Sequence, residues 1–534
     1  MFKNYKFSYY DPGLLLILAV FVYLKIPGLE PKIADENIYF YMATLVPKGL
    51  LPYKDFFYAN PPGLLIFLSI AGIVSGKSFL GFKLVPLVAG AGSVALTYFI
   101  VQSRFSKFLA FLSAILLAFT YDWLRVTTHA TGGNVTIFLM LFTVLLVIYQ
   151  KPVLAGLVFG LAFITKVYAV TAFPAIIFLV FMLSSAFTQG GSGDDKNRLT
   201  PEGKRDDNNK LTPFYKVGKG DAFIYLLKFI LSFTILVSTV LGICWLIGGN
   251  DFWRQSVLYH MQKPEAPSHN MKIFLRVLRT NQPLTEFLGI SILLLPILWF
   301  TNKKSVPWNK DQISILAFSG IWIITLAVFL SIQKKIFDQY FILGFPAAVI
   351  FIGSVFSVVI NKIESIRIYK KVVMFWVILL LLFSLVWGAK RFRQHEERSL
   401  NITYNTAEYI KNNSNPTDTI FGDSVTAPLL ALLSGREIAA YEADTNAMRF
   451  RSEISDPEYV LDRALGDNVK FMVLRVSAGK YKDKKTGETK WGYYPAGLFR
   501  VDVFGEHLFE NWKLDTQWID PTMKEYKIEL YVRK

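Results

Sequence analysis

Residues 222–248 read AFIYLLKFILSFTILVSTVLGICWLIG, with Lys228 as the only charge. An α-helix rises about 1.5 Å per residue, so roughly 20 apolar residues cross a hydrocarbon core about 30 Å thick. A soluble helix of this length would show a polar stripe; this run shows none, and it reads as a transmembrane helix. Working outward, comparable apolar segments lie near 12–29, 61–76, 82–102, 107–121, 132–150, 152–166, 167–187, 286–301, 311–332, 338–360 and 371–389. With 222–248 they make twelve. Segment 61–76 is short and opens Pro61-Pro62, so it reads as a span or as a re-entrant piece. The sequence therefore predicts a polytopic α-helical membrane protein with about 11–13 spans. The first run is followed by Leu29-Glu-Pro-Lys32 rather than by a small-residue cleavage site, and reads as a retained span.

The composition agrees. Of 534 residues, 53% are hydrophobic and 18% charged, against about 25% charged in a soluble domain. That excludes an ordinary soluble enzyme, a disordered chain and a fibre. Cys244 is the single cysteine, which excludes an intrachain disulfide and a cysteine-based zinc site. The net charge of +17 fits nucleic acid, positive-inside loops or an anionic lipid. From residue 391 onward, 21 basic residues face 22 acidic ones. The excess therefore belongs to the membrane part, which argues against nucleic acid. Residues 391–534 alternate short apolar and polar stretches: Asp418-Thr-Ile-Phe-Gly422, Val425 to Leu433, Val469-Lys-Phe-Met-Val-Leu-Arg475. This strand–helix–strand rhythm predicts a C-terminal α/β domain behind a membrane domain of 1–390. Gly422-Asp-Ser424 resembles the turn of a Rossmann-like unit but lacks the GxGxxG pattern, so acceptor selection or folding support is expected there, not cofactor binding.

Loop charge predicts sidedness. The hydrophilic loop 188–220 carries seven Lys/Arg against five acids, and the loops with Lys303, Lys304, Lys310 and with Lys362, Arg367, Lys370 are also basic. Calling that side cytoplasmic puts Arg104, Lys107 and Lys151 inside. It puts 122–131, 249–285, 333–338 and the C-terminal domain outside. A cytoplasmic N-terminus with Lys3 and Lys6 puts residues 30–60 outside. An odd number of crossings must then precede Arg104, whereas two apolar segments intervene.

Polar residues cluster at the outer boundary. Asp35 and Glu36 stand in Ala34-Asp-Glu-Asn-Ile-Tyr39. Asp122, Arg125 and His129 follow in the second outer loop, and Lys166 interrupts two apolar runs. Solvated acids, a snorkelling lysine and a hydrogen-bonded interfacial histidine would look the same. An ionisable group at a span is nonetheless a functional candidate. The outer loop 249–285 has five basic residues against two acids, and Lys334 and Lys335 add to them. Outer cations suit a phosphate held at the membrane surface, or lipid headgroups. An acid that removes a proton from a hydroxyl or amine, and cations that neutralise a leaving phosphate, together suit sugar transfer from a polyprenyl-phosphate donor.

Five landmarks occur in order: Ala34-Asp-Glu-Asn-Ile-Tyr, Asn60-Pro-Pro-Gly, Gly160-Leu-Ala-Phe-Ile-Thr-Lys166, Phe252-Trp-Arg-Gln-Ser-Val-Leu-Tyr-His260, and Lys334-Lys-Ile-Phe-Asp-Gln-Tyr340 running on to Pro346. This pattern resembles the GT-C superfamily of lipid-linked-sugar glycosyltransferases. Its closest likeness is to the branch of the protein O-mannosyltransferases and the lipid A aminoarabinose transferase. The resemblance implies inverting transfer from a polyprenyl-phosphate sugar to an extracytoplasmic protein, lipid or glycan. It implies Asp35 as base or acceptor-positioning acid with Glu36 beside it. Donor and phosphate contacts are implied from Asn60, Asp122, Arg125, His129, Lys166, His260, Lys334, Lys335 and Tyr340. No cofactor is expected, and a divalent metal has no support in residue spacing. The chain departs from the aminoarabinose enzymes where Asn60-Pro-Pro stands for their Lys-Pro-Pro, and where Gly133-Asn134 stands for an acid. The alternative is a lipid or lipid-linked-sugar flippase, which predicts repeated halves and midplane charges. A structural or sensor protein, with Asp444 and Arg449 on a binding surface, is a third reading.

Overall fold

The computed structural model describes residues 10–186, 221–264, 267–301, 309–363, 386–390, 392, 401–482, 489–495, 497–519 and 526–534. The basic loop 188–220, Lys303, Lys304, Arg367, Lys370 and most of the apolar run 371–389 lie outside those residues. Ten helices open the chain: α1 Tyr10–Lys25, α2 Glu36–Leu45, α3 Gly63–Val74, α4 Phe79–Gln102, α5 Lys107–Ala118, α6 Tyr121–Val126, α7 Gly133–Ile148, α8 Pro152–Thr165, α9 Phe173–Ala186 and α10 Asp221–Gly248. Helices Pro267–Thr280, Gln282–Thr301, Lys310–Ile332 and Phe345–Ile363 follow.

Among the described residues, five helical stretches are long and apolar enough to cross a membrane: Tyr10–Leu29, Phe79–Gln102, Ala222–Gly248, Lys310–Ile332 and Asp338–Ile360. A sixth is the pair His269–Thr280 and Gln282–Leu298, if its 92° bend is one broken span. Five more apolar helices have only 10–17 residues. The expected 11–13 spans thus become five or six full-length ones and a set of shorter helices packed among them. Apolar content marks both kinds alike, but a 12-residue helix such as α3 rises only about 18 Å, short of a bilayer core. This shortness also answers the parity conflict, because α4 is then the only full-length crossing between residues 30–60 and Arg104.

Sidedness is visible in the contacts. Arg104 pairs with Asp311 at 3.3 Å and Lys107 with Asp11 at 3.4 Å, so the α1 start, the α4–α5 turn and the start of Lys310–Ile332 share one end. The α2 start, the 127–131 loop, Lys166 and His260 gather at the other. Helices α8 and α10 pack through Gly156 and Gly160, a small-xxx-small pair. A Cβ on Gly156 would come within 2.3 Å of the Phe229 carbonyl oxygen. Without a hydrophobic drive between helices in lipid, such backbone approach supplies the packing energy.

The C-terminal region forms one sheet of β1 Thr419–Gly422, β2 Glu437–Ile438, β3 Val469–Lys482, β4 Thr489–Pro495, β5 Trp512–Ile519 and β6 Tyr526–Arg533. The strand order is β2-β1-β3-β6-β5, with β4 pairing β3 off this path. Strands β2, β1 and β3 run parallel, and the rest pair antiparallel. Helix Ala427–Ser434 sits between β1 and β2, as the strand–helix–strand rhythm predicts. One apolar core joins Phe40, Leu45 and Leu65 to Ile420, Leu430, Phe471 and Ile528, and α2 packs on the helix Ala427–Ser434 that covers the sheet.

Replacing Gly156 with Leu is expected to force α8 and α10 apart, costing about 1–3 kcal/mol of overpacking. Thermal unfolding of the detergent-solubilised protein checks this; an unchanged midpoint would contradict the close approach.

Candidate active site

Helix α2 begins where the chain leaves α1. Asp35 occupies its N-cap, but its side chain makes no capping bond. The carboxylate is therefore not spent on the helix, while the positive end of the helix dipole favours its charged form. Its neighbour has the opposite fate. Glu36 is fully buried. Lys83 Nζ, from within α4, donates to Glu36 Oε1 at 2.5 Å, and Ala130 N donates to Oε2 at 2.9 Å. His129 Nδ1 lies 3.7 Å from Oε1. Burial alone would push the Glu36 carboxyl up, but Lys83 and His129 outweigh it and hold it at about 2. Lys83 Nζ also reaches the Thr128 carbonyl at 3.4 Å. The acid thus pins the 128–130 loop against α2 and α4, a task that leaves neither oxygen free.

Asp35 is open at its own surface yet surrounded by protein. Burial pushes its carboxyl above the ordinary range, Arg475 and His129 oppose that, and Asp423 and Glu36 add to it. Lys166 faces Asp35 with Lys263 beside Lys166, and among the described residues no carboxylate bonds either ammonium. Lys166 donates to the Thr131 carbonyl at 2.9 Å and lies over the rings of Tyr168 and Tyr340, at 5.2 and 5.8 Å. Burial lowers it to about 8, with Lys263 adding to the fall and Asp35 opposing it. Lys263 lies 4.6 Å over Tyr259 and donates to His260 Nδ1 at 3.0 Å. It too is lowered by burial to about 8, with Asp444 opposing. His260 Nε2 faces the Ala59 carbonyl at 2.6 Å, so Nε2 carries the proton and Nδ1 accepts from Lys263. Burial, with Lys263 beside it, drops the imidazole to about 3, so it is neutral.

The remaining candidates divide. Asn60 Nδ2 donates to the Tyr39 hydroxyl at 3.2 Å, one helical turn from Asp35. Tyr340 meets Tyr168 at 4.7 Å between ring centroids. These two, with Asp35, His129, Lys166 and His260, face one region. Asp122 and Arg125 do not. Asp122 pairs with Arg125 at 3.0 Å and accepts from Asn281 Nδ2 at 2.6 Å. Arg125 also pairs with Asp338, which Arg276 meets at 2.9 Å. That network ties the amphipathic helix Pro267–Thr280 to the bundle. Lys334 is exposed and donates to the Met261 carbonyl at 3.0 Å, while Lys335 lies over Phe337 at 5.3 Å. Lys335 still acts on Lys263 electrostatically. Among the described residues, no three His, Cys, Asp or Glu side chains are grouped to hold a metal.

Reading the sequence missed Lys263, which counted only as one cation of a basic loop. It also missed Arg475, the last residue of the quoted stretch 469–475, where a charge ending an apolar strand was the available signal. Asp423 and Asp444 were noticed as turn and surface residues, not as neighbours of Asp35.

The fold is of the GT-C type, and its long apolar helices mark the chain as an integral membrane protein. Residues 59–190 match the family model described as dolichyl-phosphate-mannose-protein mannosyltransferase. No curated protein matches the chain significantly. Among solved structures, ArnT from Cupriavidus metallidurans bound to undecaprenyl phosphate is similar, with a TM-score of 0.59 and 12% identity over 97% of this chain and 98% of that one. The Archaeoglobus fulgidus oligosaccharyltransferase, in complex with zinc and sulfate, has a TM-score of 0.52 and 13% identity over 96% and 79%. At such identity the likeness is one of fold.

Removing one partner of the Glu36–Lys83 pair, as Glu36→Gln or Lys83→Met, is expected to cost about 3–5 kcal/mol by stranding a buried charge. Because the folded carboxyl titrates near 2 and the ordinary value is 4.5, its contribution is complete above 4.5 and fades as pH falls toward 2. Unfolding midpoints of E36Q against the parent should converge over that acid range, and a pH-independent gap would refute the pairing.

Proposed function

We propose that this chain is a membrane glycosyltransferase that moves a hexosyl or pentosyl unit from a polyprenyl-phosphate donor to an extracytoplasmic acceptor, with inversion. The observation that carries it is an uncapped carboxylate, Asp35, facing the Lys166 ammonium with Lys263 beside that lysine, two cations that no carboxylate among the described residues bonds. A GT-C fold and the mannosyltransferase family match over residues 59–190 support the same reading.

In this reading Asp35 removes the proton from the acceptor hydroxyl or amine as that group attacks the anomeric carbon. The carbon–oxygen bond to the phosphate breaks, and Lys166 and Lys263 stabilise the charge gathering on the leaving phosphate. His260 holds Lys263 through Nδ1, and Tyr340 and Tyr168 hold the Lys166 ammonium over their faces. Glu36 is an anchor rather than a second base. Lys334 and Lys335 are outlying cations rather than the phosphate grip, and Asp122 and Arg125 are framework. An apolar groove of about 580 Å³, lined by Met271, Phe274, Leu278, Leu330 and Phe341, fits the polyprenyl tail. Asn270, at its rim, bonds the 333–336 segment that carries Lys334 and Lys335. The acceptor enters from the C-terminal α/β region, taken as residues 391–534 and as extracytoplasmic.

Transfer from mannosyl- and aminoarabinosyl-phosphate polyprenols, assayed in liposomes, should fall by at least about 100-fold in Asp35→Asn, as expected for loss of a general base. Undiminished transfer by a correctly inserted variant would sink the assignment, and lipid movement without glycosidic bond formation would favour the flippase. Undecaprenyl phosphate binding to the purified protein should weaken in Lys166→Met and Lys263→Met. In the parent it should also weaken as pH rises through about 8, where both lysines lose their charge. Binding that is flat from pH 7 to 9 would argue against these two cations.

A further inference from the structure

The α2 start that carries Asp35 is clamped to the C-terminal sheet. Asn37 Nδ2 donates to the Val425 carbonyl at 3.1 Å, and the Tyr41 hydroxyl accepts from Ile438 N at 2.8 Å. Two residues before Val425, in the turn after β1, stands Asp423. It is fully buried, its Oδ2 accepts from Thr426 Oγ1 at 2.8 Å, and its backbone N donates to the Val473 carbonyl at 3.1 Å. Gly497 lies so close that a Cβ there would fall 1.8 Å from Asp423 Oδ1, so the carboxylate has one place to be. Across from it, on β3, Arg475 Nε lies 3.3 Å from Asp423 Oδ2. Strand β6 fixes Arg475 in register opposite Ile528.

We propose that Arg475 is a positioning residue for Asp35: Asp423 holds the guanidinium in the β1 turn whose Val425 carbonyl takes the Asn37 amide, beside the α2 start that carries the carboxylate. The C-terminal region thereby supplies part of the catalytic centre rather than only a wall for the acceptor. The inference rests on the reading of Asp35 as the base. The need for such a cation is physical. Crowding by protein favours the neutral acid, and a neutral acid is no base. Asp35 is faced by Glu36 and Tyr39 on α2, His129 in the 127–131 loop, Lys166 at the end of α8, and Tyr259 beside His260. From the sheet side it is faced by Asp423, Asp444 and Arg475. Among these cations Arg475 acts most strongly on Asp35. Lys166 loses its charge near pH 8, whereas an arginine keeps its own.

The test needs no knowledge of the sugar. Dicyclohexylcarbodiimide modifies protonated carboxyls in apolar surroundings, so labelling of Asp35 against pH, read by mass spectrometry on the full-length protein in detergent, reports its protonation. In Arg475→Gln the labelling midpoint should move up by about one pH unit, as expected when an opposite charge is withdrawn. Arg475→Lys should restore the parent midpoint. Arg475→Met, which keeps most of the side-chain length without the charge, should move the midpoint up as R475Q does and covers the case in which R475Q fails to fold. Midpoints that stay at the parent value in R475Q, or that move equally in R475Q and R475K, would overturn the proposal. Transfer retained by D35N would instead bring down the base assignment beneath it, so the two failures are distinguishable.

Discussion

The ion pair of Lys83 with Glu36 is the contact on which the site depends. Lys83 belongs to a full-length span and is fully buried, so its charge is tolerable only because a carboxylate meets it at 2.5 Å. The same carboxylate takes the Ala130 amide, which fixes the loop that presents His129 and Thr131. Thr131 in turn takes the Lys166 ammonium. A chain of polar contacts thus runs from the second turn of α4 through the α2 start to the end of α8. Asp35, one residue before Glu36, is held by this chain without being consumed by it.

Much of the architecture was legible in the sequence because apolar runs and lysine-rich loops are one-dimensional signals. Eleven of the twelve runs fall on helices among the described residues, and 419–422, 427–434 and 469–475 emerge as strand, helix and strand. Span number was not legible. Whether an apolar helix crosses depends on its length, and α3, α5 and α7 are short helices inside a bundle. Their composition is the same as that of α4.

At the site, the pair Asp35-Glu36 illustrates the limit. Two adjacent acids in a boundary loop look alike in sequence. The first residue of a helix points its side chain about 100° away from the preceding one, so one acid faces the junction and the other faces Lys83. Lys263, Asp444 and Arg475 were hidden for a different reason. Each is brought to Asp35 by chain folding across hundreds of residues, and neither spacing nor composition records such closure.

The apolar core shared by α2, α3 and the sheet carries a consequence for biosynthesis. Asn37 meets its partner Val425 only after 388 further residues have been made, and Arg475 is held in register by β6, Tyr526–Arg533. A chain synthesised as far as the helix Phe345–Ile363 has therefore not yet made that junction. Until then the Asn37 amide and the Tyr41 hydroxyl of α2 lack the partners that Val425 and Ile438 supply. Insertion of the preceding helices and closure of this junction are thereby separate events in time.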